Sequence, residues 1–389
     1  MRRIQSPYCL SPFDVQFPLG AVSQVKVPQV KILLYTVMES GLAPLEYVNE
    51  KEMPDMLTPR ENFMRLMRCE TPEYIPEFSL MWGTFFRPSC YSATRNPDNT
   101  GRDYFGVEWV IEGSAIQGAL PKPGDFILDD IRKWRDVIKV PDFSTIDWEA
   151  MAKKDKENRD PSMPFGGGTA PGGQGLFQAL MSFMGFVEGL AACHDEPEEV
   201  KALLAYLTDW ACENAKRFIY YYKPDFGSYP DDIAYESRPF VSMEMFRELF
   251  APYWKQYIDV FLEAGIPVEH HDCGFCEPLL DEFVALGITA WDPVQISNDA
   301  VAIKKKYGNK LALCRPLSAP AVWANTAPSE DFVRAYVKET LDQLAPGGGL
   351  AVFMLPPPSP DADTPATPIA QYNVWIRDEF DKLKFSYYK

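Results

Sequence analysis

Residues 268–278 read VEHHDCGFCEP and hold two of the chain's three histidines and two of its eight cysteines. An imidazole beside a soft thiolate is ligand chemistry that zinc favours, with bonds about 2.0–2.3 Å long in tetrahedral geometry. The run IPVEHHD has strand character, so alternation sends His270 and His271 to opposite faces. His271 and Cys273 share parity and can turn together toward one cavity, while His270 is expected to bury against a helix and hydrogen-bond there. A metal needs at least one more ligand. Cys314, which ends a later strand, is the expected third, with Cys276, Asp232 or Glu236 as substitutes. Three protein ligands leave a fourth position open, the arrangement of catalytic zinc acting as a Lewis acid.

Other polar residues gather at similar places. Asp232 and Glu236 are candidate catalytic acids or bases, and Asp231, Asp292 and Gln295 are candidate substrate-binding groups; the plainer reading of YPDD is a turn. The glycine-rich PFGGGTAPGGQG (residues 164–175) lacks GK[ST], and no GxGxxG follows a clear strand, so a tight turn is expected rather than a phosphate cradle. Cys69, Cys193 and Cys212 lie in or at the end of helical patterns. Cys9 and Cys90 have no metal-binding neighbours, so all five read as ordinary packed or exposed residues. The tryptophans, among them Trp82, Trp109 and Trp254, are expected to fill core.

The elements that must position these groups follow from periodicity. At TPRENFMRLMRCE, Thr58 is a good N-cap, Pro59 suits the first helical position and Glu61 completes a capping box, so a domain begins there. Strand-type runs follow at YIPEFSL (74–80) and within DYFGVEWVIEGSAIQG (103–118). From residue 196 long helical segments alternate with short apolar strands: PDFGSYPDD, IPVEHHD, ITAWDP, KLALCRP and GLAVFMLP. Such alternation demands parallel pairing, and about eight units with no dinucleotide fingerprint favour a closed (β/α)8 TIM barrel over an open doubly wound sheet. In that fold the active site lies at the carboxyl ends of the strands, where Asp231, Asp232, His271, Cys273, Asp292, Cys314 and Arg315 fall.

Bulk composition bounds the partners. The 38 basic and 55 acidic residues give a net charge of −17, a field that repels nucleic acid and anionic membrane. No apolar run reaches the length of a signal peptide or a membrane span, which leads us to expect a cytoplasmic protein with reduced cysteines. Residues 1–57 lack a clear period and read as an extension of unknown role; residues 58–389 read as one barrel domain.

Several stretches together resemble the uroporphyrinogen decarboxylase superfamily, and within it the corrinoid-dependent methyltransferase branch. They are TPRENFMRLMRCETPEYIPE, DYFGVEW, DDIRKWRDVIKVPDF, DDIAYESRPFVSMEMFRELFAPYWKQYID, IPVEHHDCGFCEPLLDEFVALGITAWDPVQ, DAVAIKKKYGNKLALC and APGGGLAVF. The resemblance runs from about Thr58 to the C-terminal helix and implies a barrel of the kind already expected. It also implies that the HxCG position, His271 and Cys273 here, supplies zinc ligands. Zinc-dependent relatives that activate a thiol take a further cysteine just past the strand matching GGGLAVFM, where this chain has LPPPSP. True decarboxylases carry an arginine-rich RQAGR-like segment that grips substrate carboxylates, whereas here Arg87 is the only basic residue near YIPEFSLMWGTFFRP.

The expected activity is methyl transfer between a small donor, an aryl methyl ether or a methylated amine, and a corrinoid carried by a partner protein, assisted by zinc. A sibling version runs from the methylated corrinoid to tetrahydrofolate without a metal. The alternatives are cofactor-free decarboxylation of uroporphyrinogen, and a silent barrel that binds a ligand or partner.

Overall fold

The computed structural model describes residues 56–78, 85–111, 119–320, 322–354 and 368–388. Seven parallel strands pair in chain order: β1 (Phe85–Phe86), β2 (Gly166–Gly167), β3 (Phe226–Pro230), β4 (Val268–His271), β5 (Ile288–Asp292), β6 (Ala312–Pro316) and β7 (Leu350–Phe353). The register places Pro230 beside His271, and His271 beside Asp292. An eighth segment extends the sheet beyond β7. Glu77 bridges Val352 in parallel, the Phe78 amide donates to the Val352 carbonyl and the Val352 amide donates to Pro76. The fold is a (β/α)8 TIM barrel, as the alternation implied.

Helix α1 (Pro59–Met67) begins as expected, with the Thr58 hydroxyl and the Glu61 carboxylate completing the capping box. It plugs one end of the barrel. Phe63, Met64, Leu66 and Met67 pack with Phe78, Phe226 and the small inward side chains Ala290, Ala312, Cys314 and Ala351. Those small residues are needed because large rings occupy the axis: a Cβ at Gly166 would lie 2.1 Å from the Phe226 ring. This apolar floor leaves the polar inward groups to the opposite, carboxyl end.

Around the sheet lie α2 (Leu176–Met184), α3 (Phe186–Asp195), α4 (Pro197–Tyr222), α5 (Ala251–Glu263), α6 (Leu280–Leu286), α7 (Ala300–Tyr307), α8 (Glu330–Leu344) and α9 (Pro368–Leu383). No single helix among the described residues is long and apolar enough to cross a membrane.

Three expectations change. The 103–118 run does not enter the barrel: Gly101–Arg102, Glu108–Val110 and Leu120–Pro121 form a separate antiparallel sheet, and residues 112–118 lie outside the described residues. The 164–175 run is more than a turn, because Gly166–Gly167 is a barrel strand too short to show a period. The first strand is represented by residues 76–78, with 79 and 80 outside the description, as are Trp82, the 355–360 LPPPSP stretch and all of the 1–57 extension except residues 56 and 57. Trp109 and Trp254 are core residues, as expected.

Candidate metal centre

His271 ends β4 on the barrel's inner side, and its two ring nitrogens face different partners. Nδ1 lies 3.0 Å from Asp292 Oδ2, at the end of β5. Nε2 lies 3.7 Å from Cys273 Sγ and 3.8 Å from Asp232 Oδ1. Donor atoms of Asp232, His271 and Cys273 all fall within 4.8 Å of one another. Bonds of 2.0–2.3 Å at tetrahedral angles put ligand atoms about 3.3–3.8 Å apart, so this carboxylate, imidazole and thiol fit a zinc ion. The three residues are half-buried.

The neighbouring groups hold this arrangement. Asp292 is buried and orients the imidazole through Nδ1, the carboxylate–histidine pairing that directs Nε2 at a metal. Gln178 Nε2 donates to Asp232 Oδ2 at 3.0 Å, and the Cys273 amide donates to Asp232 Oδ1 at 2.8 Å. The Gly274 amide donates to Gln295 Oε1 at 2.9 Å, pinning the turn after Cys273. Gly274 sits at φ +99°, and a Cβ there would press on the Tyr235 and Ala234 carbonyls.

Electrostatics follow from burial and charge. Burial disfavours the His271 imidazolium, but Asp292 and Cys273 outweigh it and hold its pKa well above the ordinary value. Burial pushes the Cys273 thiol up, while His271 pulls it down. Beneath His271 on the same face of β4 lies Glu269, fully buried beside Asp292 and Ser228. Burial first, and the nearby Asp292 charge second, drive the Glu269 pKa well up.

Several expected site residues serve other ends. Cys314 is fully buried among the apolar floor residues, near the carboxyl groups of Asp292 and Glu269, and lies outside the Asp232, His271 and Cys273 group. It does not end its strand as expected: β6 runs two residues further, to Pro316, which leaves the thiol inside the wall. Cys276 is also buried, its thiol donating to the Asp272 carbonyl at 3.4 Å. Asp231 faces away from the mouth: it accepts the Phe177 and Gln178 amides at 2.9 Å each, and the Tyr229 hydroxyl, so it caps α2. Burial pushes its carboxyl up to about 8, against the pull of those donors. Glu236 is exposed at the turn between Ala234–Tyr235 and Arg238–Pro239. Asp292 and Gln295 are committed to His271 and Gly274, so both position the centre instead of lining an open cavity.

Arg315 turns outward and donates to the Val294 carbonyl. His270 is buried among Trp254, Phe283 and Tyr229, with Nδ1 2.6 Å from the Tyr229 carbonyl. Sequence reasoning missed Gln178 and Glu269. A glutamine inside a helical pattern carries no signal, but the glutamate two residues before His271 shares its parity and could have been found.

A parallel barrel with a polar centre at its strand ends defines a (β/α)8 protein of enzyme type. The uroporphyrinogen decarboxylase (URO-D) family matches residues 155–350, half of the chain, and the chain belongs to that family. That span contains all three candidate ligands. No curated protein matches the chain in sequence. Among solved structures, a methyltransferase from Methanosarcina mazei has the same fold, with a TM-score of 0.55 and 16% sequence identity, covering 84% of this chain and 99% of that one.

Proposed function

We propose that the chain is a cytoplasmic methyltransferase that moves a methyl group between a small donor, an aryl methyl ether or a methylated amine, and a corrinoid carried by a partner protein, with zinc at Asp232, His271 and Cys273. The observation that carries this reading is the convergence of a carboxylate, an imidazole and a thiol within 4.8 Å of one another just past the carboxyl ends of β3 and β4. A zinc ion held there supplies a Lewis acid for the oxygen or nitrogen that gives up the methyl group.

The protein's own part is positioning and charge placement. Asp292 fixes the tautomer and direction of His271. Gln178 and the Cys273 amide hold the two oxygens of Asp232 so that it cannot swing into the mouth. Burial beneath the centre raises the Glu269 pKa and so disfavours a second negative charge next to Asp292.

The family's decarboxylation of uroporphyrinogen is less well served, because a substrate with eight carboxylates needs several cations and this centre is acidic. The deciding experiment mixes purified protein with a reduced corrinoid and ether or amine donors and follows the corrinoid spectrum, alongside elemental analysis. Stoichiometric zinc with donor-dependent methylation of the corrinoid is expected. No methylation with any donor class, or coproporphyrinogen formed from uroporphyrinogen, would overturn the reading.

A further inference from the structure

The turn after β4 carries a second sulfur that the metal centre does not use. Residues 273–276 read CGFC, and both cysteines are free thiols. Cys273 is half-buried, whereas Cys276 is fully buried. The Cys276 thiol donates to the Asp272 carbonyl at 3.4 Å and lies 3.7 Å from the Cys273 carbonyl oxygen, so its sulfur points back into the turn, against its partner's backbone. The two sulfurs are close enough for their charged forms to repel each other.

Packing pins the backbone that joins them. The Cys273 amide donates to Asp232 and the Gly274 amide to Gln295. The Phe275 amide donates to the Tyr235 carbonyl at 2.8 Å and the Cys276 amide to Asn298 Oδ1 at 3.0 Å, while Asn298 Nδ2 donates back to the Gly274 carbonyl at 2.8 Å. Every amide from 273 to 276 is engaged. Between the cysteines the chain bends at Gly274, whose φ of +99° suits glycine. The Cys273 side chain keeps its freedom, because rotation about its Cα–Cβ bond takes the sulfur away from His271 Nε2 without moving the turn.

We infer that Cys273 and Cys276 are a redox pair, and that closing their disulfide switches the metal centre off. Burial assigns the roles. Solvent reaches Cys273, so an oxidant meets it first, and Cys276 is shielded yet adjacent, the place of a resolving thiol. The oxidant is a hydroperoxide. With hydrogen peroxide, the Cys273 sulfur attacks one oxygen and breaks the O–O bond, giving a sulfenic acid and one water. The Cys276 sulfur then displaces the sulfenic hydroxyl, forming the S–S bond and a second water. Two electrons pass from the sulfurs to the peroxide, and both thiol protons end in water. In a reducing compartment such a bond is transient and serves sensing rather than structure. A sulfur bound to its neighbour cannot hold a metal, so closure leaves only Asp232 and His271 of the three candidate ligands. That consequence rests on the zinc reading, whereas the disulfide itself does not.

The test strips the purified full-length chain of metal with a chelator, treats it with hydrogen peroxide, and reads the unreduced mass of the peptide spanning residues 268–278. A peptide two hydrogens lighter is expected, with both thiols lost to alkylation. The oxidised chain should fail to take up added zinc, and a phosphine reductant should restore uptake. C276S should bind zinc like the parent before oxidation, but peroxide should drive its Cys273 on to sulfinic acid, which the phosphine does not reverse. Free thiols at both positions after peroxide, a cross-link from Cys273 to some other cysteine, or equal reversibility of parent and C276S would overturn the pair. A 273–276 cross-link with zinc uptake unaltered would support the pair and sink Cys273 as a ligand, whereas zinc uptake without any cross-link would sink the pair alone.

Discussion

His271 divides its ring between a buried carboxylate and a pair of candidate ligands, and that division makes the centre testable one atom at a time. H271A and C273S each remove a ligand from a half-buried position, so both are expected to lose stoichiometric zinc and donor-dependent activity while melting near the parent temperature. Retained zinc in either variant, measured by elemental analysis, would contradict the assignment. D292N leaves all three ligands in place but replaces the acceptor that orients Nδ1. It should weaken zinc binding about 10- to 100-fold, read by chelator competition. C314S should leave zinc content unchanged, because that sulfur sits with the apolar floor.

Elements divide the barrel into a dry end and a wet end. Helix α1 fills the dry end through Phe63, fully buried with its ring 5.4 Å from Phe226 and 6.1 Å from Phe78. F63A opens a cavity on the axis and should cost about 3–5 kcal/mol in chemical denaturation, with zinc content unchanged in the fraction that stays folded. A change below ~1 kcal/mol would mean that α1 is not the plug described here. Helix α7 supplies a pH-dependent tie: Lys304 donates to the Gly348 and Gly308 carbonyls, next to the glycine run before β7. Burial lowers its pKa to about 8 from 10.5. The unfolded chain therefore binds the extra proton between those values, and stability rises with pH there. The cost of burying the charge is complete below pH 8, shrinks between about 8 and 10.5, and is gone above. Denaturation midpoints of the parent chain minus those of K304Q should rise across that window, and a flat difference would remove the lysine from this role.

At the scale of the whole molecule, the two ends of the described chain are tied together. Arg377 of α9 grips Glu77 with two hydrogen bonds of 2.6 and 2.7 Å, and both side chains are nearly buried. Glu77 is also the residue that bridges β7. R377M leaves that carboxylate buried beside the closing strand and should cost about 3–5 kcal/mol, whereas E77Q with R377M should cost less than the two single changes summed. Additive losses in the double-mutant cycle would show that the pair is not coupled.

Much of this was legible in the residues, and the limits have physical causes. The capping box at Thr58, the alternation of helices and strands, and the shared parity of His271 and Cys273 are local patterns, set by chain geometry within a few positions, and all three persist in the fold. Two of the barrel's strands were hidden because β1 and β2 are two-residue pairings, too short for any period to emerge. The third ligand is different in kind. In the sequence Asp232, Glu236 and Cys314 all read as following or ending strands, and choosing among them requires knowing where each strand stops and how deep each side chain sits in the barrel. Register sends Cys314 into the floor and the 234–239 hairpin carries Glu236 to the surface, so Asp232 is the one that meets His271. Periodicity could name the fold and the pair of candidate ligands, but the third candidate came from packing between distant segments.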